Sequence, residues 1–246
     1  MTGARETSVV SSATPAVISL RRLGQGRTIA GMTSPHWPLA GLRLRTPRLE
    51  LRWPTLGDLD DLAAVAARGI HDPQVMPFAA AWTDAPAAKI PGNVLKYFWS
   101  TWGSWQPSNW TLDLVVCRDG AVVGTQGVRG RDFAILRQVG TGSWLGRDHQ
   151  GQGTGTEMRA AVLALAFEGL GAQYATTESH DDNPASAGVS RKLGYADDGI
   201  LRYAVRGRPV RAQRFRMDRA AWQAHRTVPV EIRGLEPCLP HFGLAA

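Results

Sequence analysis

Two cysteines in 246 residues, Cys117 and Cys238, are too few for a disulfide framework, and no CxxC pair is present to build a thiolate zinc site. That scarcity fits a reducing compartment, so a cytoplasmic protein with no metal is expected. No apolar run exceeds Ala160–Phe167, far short of the ~20 residues of a membrane-spanning helix, so no membrane partner is expected. Heptads and internal repeats are missing, which excludes a coiled coil or a solenoid. Lysine is nearly missing as well: Lys89, Lys96 and Lys192 are the only three. The positive charge is therefore almost all arginine.

What is there is an ordinary globular balance, 43% hydrophobic and 20% charged, with a net charge of +7. Between Ile200 and Arg226 stand eight arginines and one acid, Asp218, so this stretch carries the whole excess. A concentrated excess points to an anionic partner, such as a phosphorylated cofactor, an acidic acceptor or RNA. An arginine-biased solvated face is the alternative.

Residues 1–34 are rich in Ser, Thr, Ala and Gly, without a sustained period, and are expected to be a disordered tail, with Met32 as an alternative start. Patterned sequence occupies 35–226, and 227–246 reads as a C-terminal extension, either an extra strand or an extended arm. Leu42, Leu44, Leu49 and Leu51 alternate with charged residues, as in one strand or two short ones. Thr55 and Asp58 form a capping box for a helix carrying Leu59, Leu62 and Val65, with Gly69 past its end. Val94, Leu95, Phe98, Trp99 and Trp102 are expected on one face of a short helix. Trp99, Trp102, Trp105 and Trp110 then make either a packed aromatic cluster or the wall of an acceptor pocket. That aromatic surface and the tail after Val228 point to a homo-oligomer.

A hairpin follows, Trp110–Cys117 and Ala121–Val128 around Arg118-Asp119-Gly120, then a strand over Ile135–Leu145. A helix over Thr156–Leu170, a strand over Gln173–Ser179 and a helix from Asn183-Pro184 to Leu193-Gly194 come next. A hairpin of Leu201–Val205 and Val210–Met217 leads to a short helix bearing Trp222. The class is α+β.

Chemistry concentrates where the strand ending at Leu145 runs into Gln150-Gly151-Gln152-Gly153-Thr154-Gly155 and then a helix. Glycines let backbone N–H groups turn inward, and a helix start adds free donors and partial positive charge, so this is an anion cradle. No Lys-Ser/Thr follows Gly155, which excludes a P-loop. The G-x-G-x-G spacing after antiparallel strands is not a dinucleotide fingerprint.

Gln150-x-x-Gly153-x-Gly155 resembles the acyl-CoA loop of the GNAT family of N-acetyltransferases. Asn183-Pro184-Ala185-Ser186, leading into Lys192-Leu193-Gly194-Tyr195, resembles the family's second signature. Thr46-Pro47-Arg48-Leu49 is similar to the RimJ/RimL branch. His36-Trp37-Pro38-Leu39, Met76-Pro77-Phe78, Gly142-Ser143-Trp144-Leu145-Gly146, Gly155-Thr156-Glu157-Met158-Arg159 and His225-Arg226-Thr227-Val228 resemble an actinobacterial branch that includes succinyl-CoA-dependent members.

The resemblance implies a GNAT fold, a mostly antiparallel sheet splayed in its middle and flanked by helices. It implies acetyl-CoA or succinyl-CoA as acyl donor and a primary amine as acceptor: a protein N-terminus, a lysine or a small molecule. Pantetheine would bond Ser143, Trp144 and Leu145, and the diphosphate would sit on Gln150, Gly151, Gln152, Gly153, Thr154, Gly155 and Thr156. Asn183 and Ser186 would hold the pantetheine arm.

Many members place a Tyr acid seven residues after the Asn; here that position is Ser190, and Ser186 one turn earlier is the better catalytic candidate. The usual carboxylate base on the strand before the loop is missing, which leaves Glu178 and His180 as the nearest groups, or a water chain; His149 reads as a phosphate neighbour. Arg214 and Arg216 share a strand face and are expected to meet an acidic acceptor or the carboxylate of a succinyl group. Two other readings stay open: an acyltransferase associated with RNA or aminoacyl-tRNA, and a non-catalytic acyl-CoA-binding protein.

Overall fold

The computed structural model of the chain describes residues 34–245. The expected tail and the alternative start at Met32 lie outside the described residues, except for Ser34, which bridges to Trp37.

The leucine alternation resolves into two strands, β1 (Arg43–Arg45) and β2 (Leu49–Arg52). Helix α1 (Leu56–Ala67) opens on the expected capping box: Thr55 Oγ1 accepts from Asp58 N (3.1 Å), and Asp58 Oδ2 accepts from Thr55 N (3.0 Å). Burial pushes the Asp58 carboxyl up, but hydrogen bonds from Arg52 and Thr55 outweigh it and hold the group below the usual range. Helix α2 (Ile90–Gly103) buries Val94 and Phe98. Trp99 departs from expectation: it points outward and is 49% exposed, because a face set by Val94 and Phe98 turns it away from the sheet. Trp102 instead stacks on Trp53 (4.9 Å) and Trp105 on Trp110 (6.1 Å), both within the core.

Strands β3 (Asn109–Arg118) and β4 (Ala121–Arg131) form the predicted hairpin. The strand expected over Ile135–Leu145 begins later. Phe133–Leu136 forms one helical turn, α3, and β5 spans Gln138–Leu145. Asp132 and Arg137 bracket the turn with φ of 47° and 48°, a left-handed backbone that interrupts an extended path and leaves Ile135 and Leu136 exposed.

Helix α4 (Thr154–Ala164) runs on as a π-helical turn over Leu165–Gly169. Its apolar run is buried on all sides, as a helix without a polar face must be. Then come β6 (Tyr174–His180), α5 (Pro184–Lys192), β7 (Ala196–Val205), β8 (Arg208–Asp218), α6 (Arg219–His225) and β9 (Glu231–Arg233).

The nine strands of the described residues make one sheet in the order β7, β8, β6, β5, β4, β3, β2, β1, β9. Every pair is antiparallel except β5 with β6. The C-terminal segment is spent within the chain: β9 pairs with β1, and Cys238 and Phe242 are fully buried in the core. Among the described residues no helix is long and apolar enough to cross a membrane.

Candidate active site

The parallel pairing of β5 with β6 covers only Gln138–Gly140 against Tyr174–Thr176. Beyond it the strands diverge, while β5 stays paired to β4 as far as Leu145. Thr177 Oγ1, donating to Thr141 O (3.2 Å), bridges the start of the gap. The opening is a cleft of about 600 Å³ lined by Gly142–Leu145 on one side and Thr177–Ser179 on the other.

At its mouth sits the glycine loop. Gly151 (φ 72°) and Gly153 (φ 78°) adopt the left-handed backbone that a side chain would strain, and Gly153 caps α4. Gln150, Gly151, Gly153, Gly155 and Thr156 line the cleft. The Gln150 side chain does not face a ligand: its amide donates to Ile70 O (2.7 Å) and Leu145 O (2.9 Å) and ties the loop to the end of β5. Gln152 and Thr154 lie off the lining. Gln152 accepts from Arg118 Nη1 (2.5 Å), and Thr154 is buried.

The Thr46-Pro47-Arg48-Leu49 segment props this loop from behind. The Glu157 carboxylate accepts from Thr46 Oγ1 (2.6 Å), Arg48 N (3.0 Å) and Arg48 Nε (2.6 Å), while Arg48 Nη1 reaches Gln152 O (3.1 Å). Burial pushes this carboxyl up, yet the hydrogen bonds from Thr46 and Arg48 prevail and hold it low. A depressed carboxyl stabilises the fold above its unfolded value, near ~4.3, and loses that contribution as pH falls through its folded value. Glu157→Gln is therefore expected to cost about 1–2 kcal/mol at pH 7, with a smaller deficit at pH 3. Urea midpoints at the two pH values check this; an equal deficit at both would exclude the charge as the cause.

Across the cleft Asn183 caps α5, its Oδ1 accepting from Ser186 N (3.1 Å), and both residues line the opening. Ser190 does not. It is fully buried, donates to Ser186 O (3.0 Å) and accepts from Arg159 Nη1 (3.0 Å). Arg159, which the sequence showed only as the end of a family-like motif with no role attached, is buried, lines the cleft, and also reaches Ser143 Oγ (3.4 Å). Among the described residues its Nε has no hydrogen-bond partner, and burial lowers its pKa.

Glu178 lines the cleft, accepts from the Tyr203 hydroxyl, and lies 3.8 Å from Arg129. Burial and the Glu178 contact push the Tyr203 phenol up to about 12. His180 is buried with Nδ1 on Met76 O (3.0 Å), and neither it nor His149 faces the cleft.

Arg214 and Arg216 do not line the cleft. They converge on Asp198 at 3.0 and 3.8 Å. Arg206, Arg211 and Arg226 pair with Asp84, Asp181 and Glu168, so much of the basic stretch is balanced by nearby acids. A second cavity, of about 460 Å³, meets the first at Phe78, Gly142, Ser143 and Trp144.

Residues 48–196 match the family described as acetyltransferase (GNAT) domain. A GCN5-related N-acetyltransferase from Brucella melitensis superposes with a TM-score of 0.61 at 20% identity, over 75% of this chain and 81% of that one. RimJ of Mycobacterium smegmatis, solved with a CoA disulfide, gives 0.57 at 16% identity over 74% and 90%. RimL, a ribosomal-protein alpha-N-acetyltransferase solved with coenzyme A, gives 0.58 at 15% identity over 72% and 97%. At these identities the likeness is one of fold.

Proposed function

The chain belongs to the GNAT acetyltransferase family and is an acyl-CoA-dependent N-acyltransferase; on that premise we propose that it moves an acetyl or succinyl group to a primary amine by direct attack. One observation carries the reading: β5 parts from β6 after Gly140, with the glycine loop at the mouth of the gap. The residues fit coenzyme A, since Gly151 and Gly153 hold the loop open in the left-handed backbone and the first turn of α4 offers main-chain amides without helical partners.

Bound acyl-CoA supplies an activated thioester. Main-chain amides of Gly151–Gly155 and Thr156 would hold the diphosphate; the Gln150 N–H already donates to Arg147 O (3.2 Å). Ser143, Trp144 and Leu145 offer main-chain bonds to the pantetheine arm, which Asn183 and Ser186 hold from the other side. Amides near Trp144–Leu145 stabilise charge growing on the carbonyl oxygen. Ser190 is walled off from the cleft, which leaves Ser186 and Arg159, both lining it, as the groups placed to assist the leaving thiolate. The acyltransferase domain is assigned to 35–226, with 227–246 as its extension, in a cytoplasmic protein.

Arg159→Met tests the thiolate role. Removing a buried cation that lacks an acid partner is expected to stabilise the fold by roughly 1 kcal/mol or more. It is also expected to lower kcat about tenfold to a hundredfold, with the Kd for CoA little changed. A kcat equal to wild type would remove Arg159 from the reaction.

Calorimetry with acetyl-CoA and succinyl-CoA, followed by thiol release with a mixed amine panel, tests the function as a whole. Binding without thiol release would favour the non-catalytic reading. Turnover requiring tRNA would favour the RNA-associated one.

A further inference from the structure

Asp113, on β3, is only 7% exposed, and among the described residues it forms no ion pair. Its one side-chain partner is Tyr97 on α2, whose hydroxyl donates to Oδ2 (2.8 Å). A carboxylate taken out of water with so little compensation is costly unless a cation or proton joins it.

The sheet register shows where it is aimed. Asp113 lies opposite Gly127 on β4, and Gly127 lies opposite Gly142 on β5. Residues in register share a sheet face. A Cβ on Gly127 would stand 2.3 Å from Asp113 Oδ1, so the carboxylate lies across that glycine. Two strand spacings, about 10 Å, separate Asp113 from Gly142 in the backbone. The interval is cleared of side chains by the two glycines, and it ends where the two cavities meet. The second cavity's wall is largely aromatic, with Phe78, Trp82, Tyr97, Phe98 and Trp144, and Arg129 also lines it.

We propose that this second cavity is the acceptor site, that Asp113 grips a primary ammonium and takes its proton, and that the amine sits on an aromatic frame. The proposal rests on the acyl-transfer reading above and adds the acceptor's chemistry. Asp113 takes one proton from the ammonium. The freed nitrogen then bonds the thioester carbonyl carbon, and the C–S bond breaks with its electron pair on sulfur. The second nitrogen proton goes to the thiolate, leaving amide and free thiol. Arg129 in the wall disfavours polycations. The same chemistry is carried by a free arylalkylamine and by a peptide beginning with an aromatic residue.

Burial pushes the Asp113 carboxyl up to about 6, a rise limited by the Tyr97 hydrogen bond and the Arg129 charge, the two groups that face it from α2 and β4. A base must be unprotonated, so kcat/KM is expected to fall below about pH 6.

The test gives the full chain acetyl-CoA with 2-phenylethylamine, a phenylalanyl tripeptide, spermidine or glutamate. One or both aromatic amines are expected to lead, and which of them leads identifies the source; preference for spermidine or glutamate overturns the proposal. Asp113→Asn is expected to keep its acetyl-CoA Kd within about twofold by calorimetry. It should lose at least ~100-fold in kcat/KM for the aromatic amine. It should also lose the quenching of tryptophan emission that 2-phenylethylamine causes in the CoA complex.

Two further variants keep the proposal exposed if Asp113→Asn folds poorly. Tyr97→Phe should move the acidic limb up by about one pH unit, because a hydrogen bond favouring the charged form is gone. Gly127→Ala, which displaces the carboxylate, should raise KM. An unmoved limb together with amine turnover at the wild-type level overturns the proposal alone. No heat between the wild type and acetyl-CoA overturns the transfer reading itself.

Discussion

Gly155→Asp is expected to weaken coenzyme A binding by roughly two orders of magnitude while leaving the fold intact or slightly more stable. Gly155 is the second residue of α4, and a Cβ there would meet only Val189 and Leu145 at 3.8 and 4.0 Å, ordinary contact distances. Aspartate in the first turn of a helix is favoured by the macrodipole, by about 0.3–1 kcal/mol, and replacing glycine relieves its backbone-entropy cost. The ligand feels the opposite sign. A carboxylate about 5 Å from a phosphate charge, at an effective dielectric near 20, costs about 3 kcal/mol, or roughly 150-fold in Kd. Calorimetry and thermal unfolding on one sample read both effects. If the melting point holds and the Kd is unchanged, the diphosphate does not sit on this helix end.

Gly124→Ala is expected to have the largest effect on stability. A Cβ on Gly124 would stand 2.3 Å from Trp144 O and 2.9 Å from Leu145 Cα. These are backbone atoms of the paired strand, so no side chain can swing aside to make room. β4 and β5 must part at the end where β5 borders the cleft. Overpacking of this kind costs about 3 kcal/mol. The urea midpoint should fall with an unchanged slope, and amide exchange should quicken first at Trp144 and Leu145. A midpoint equal to wild type would show that the pair already has the slack to absorb a methyl group.

The donor side of the site was legible because it is built from local chemistry. A glycine loop before a helix, and an Asn before a Pro-led helix, announce their backbone geometry within a few residues, and the structure puts both on one cleft. The acceptor side depends on register. Asp113 is one acid in a strand buried on both faces, and only the alignment of Gly127 and Gly142 beside it shows what it faces. Arg159 entered only as the last residue of a family-like motif and was given no role, because its burial follows from how α4 packs on the sheet rather than from its neighbours in sequence. The basic hairpin was misleading for a related reason: composition counts charge but does not see Asp84, Asp181 or Asp198 folding back onto it.

The pairing of β9 with β1 bears on how the protein is made. Leu44 waits for Ile232, nearly two hundred positions later, and the indole of Trp105 donates to the carbonyl of His241 (2.9 Å). A ribosome must therefore deliver the stretch through Phe242 before the first strand's edge is covered and the tryptophan corner closes. Until then the nascent chain displays a bare strand edge and a greasy socket, the features that recruit holdase chaperones and seed aggregation.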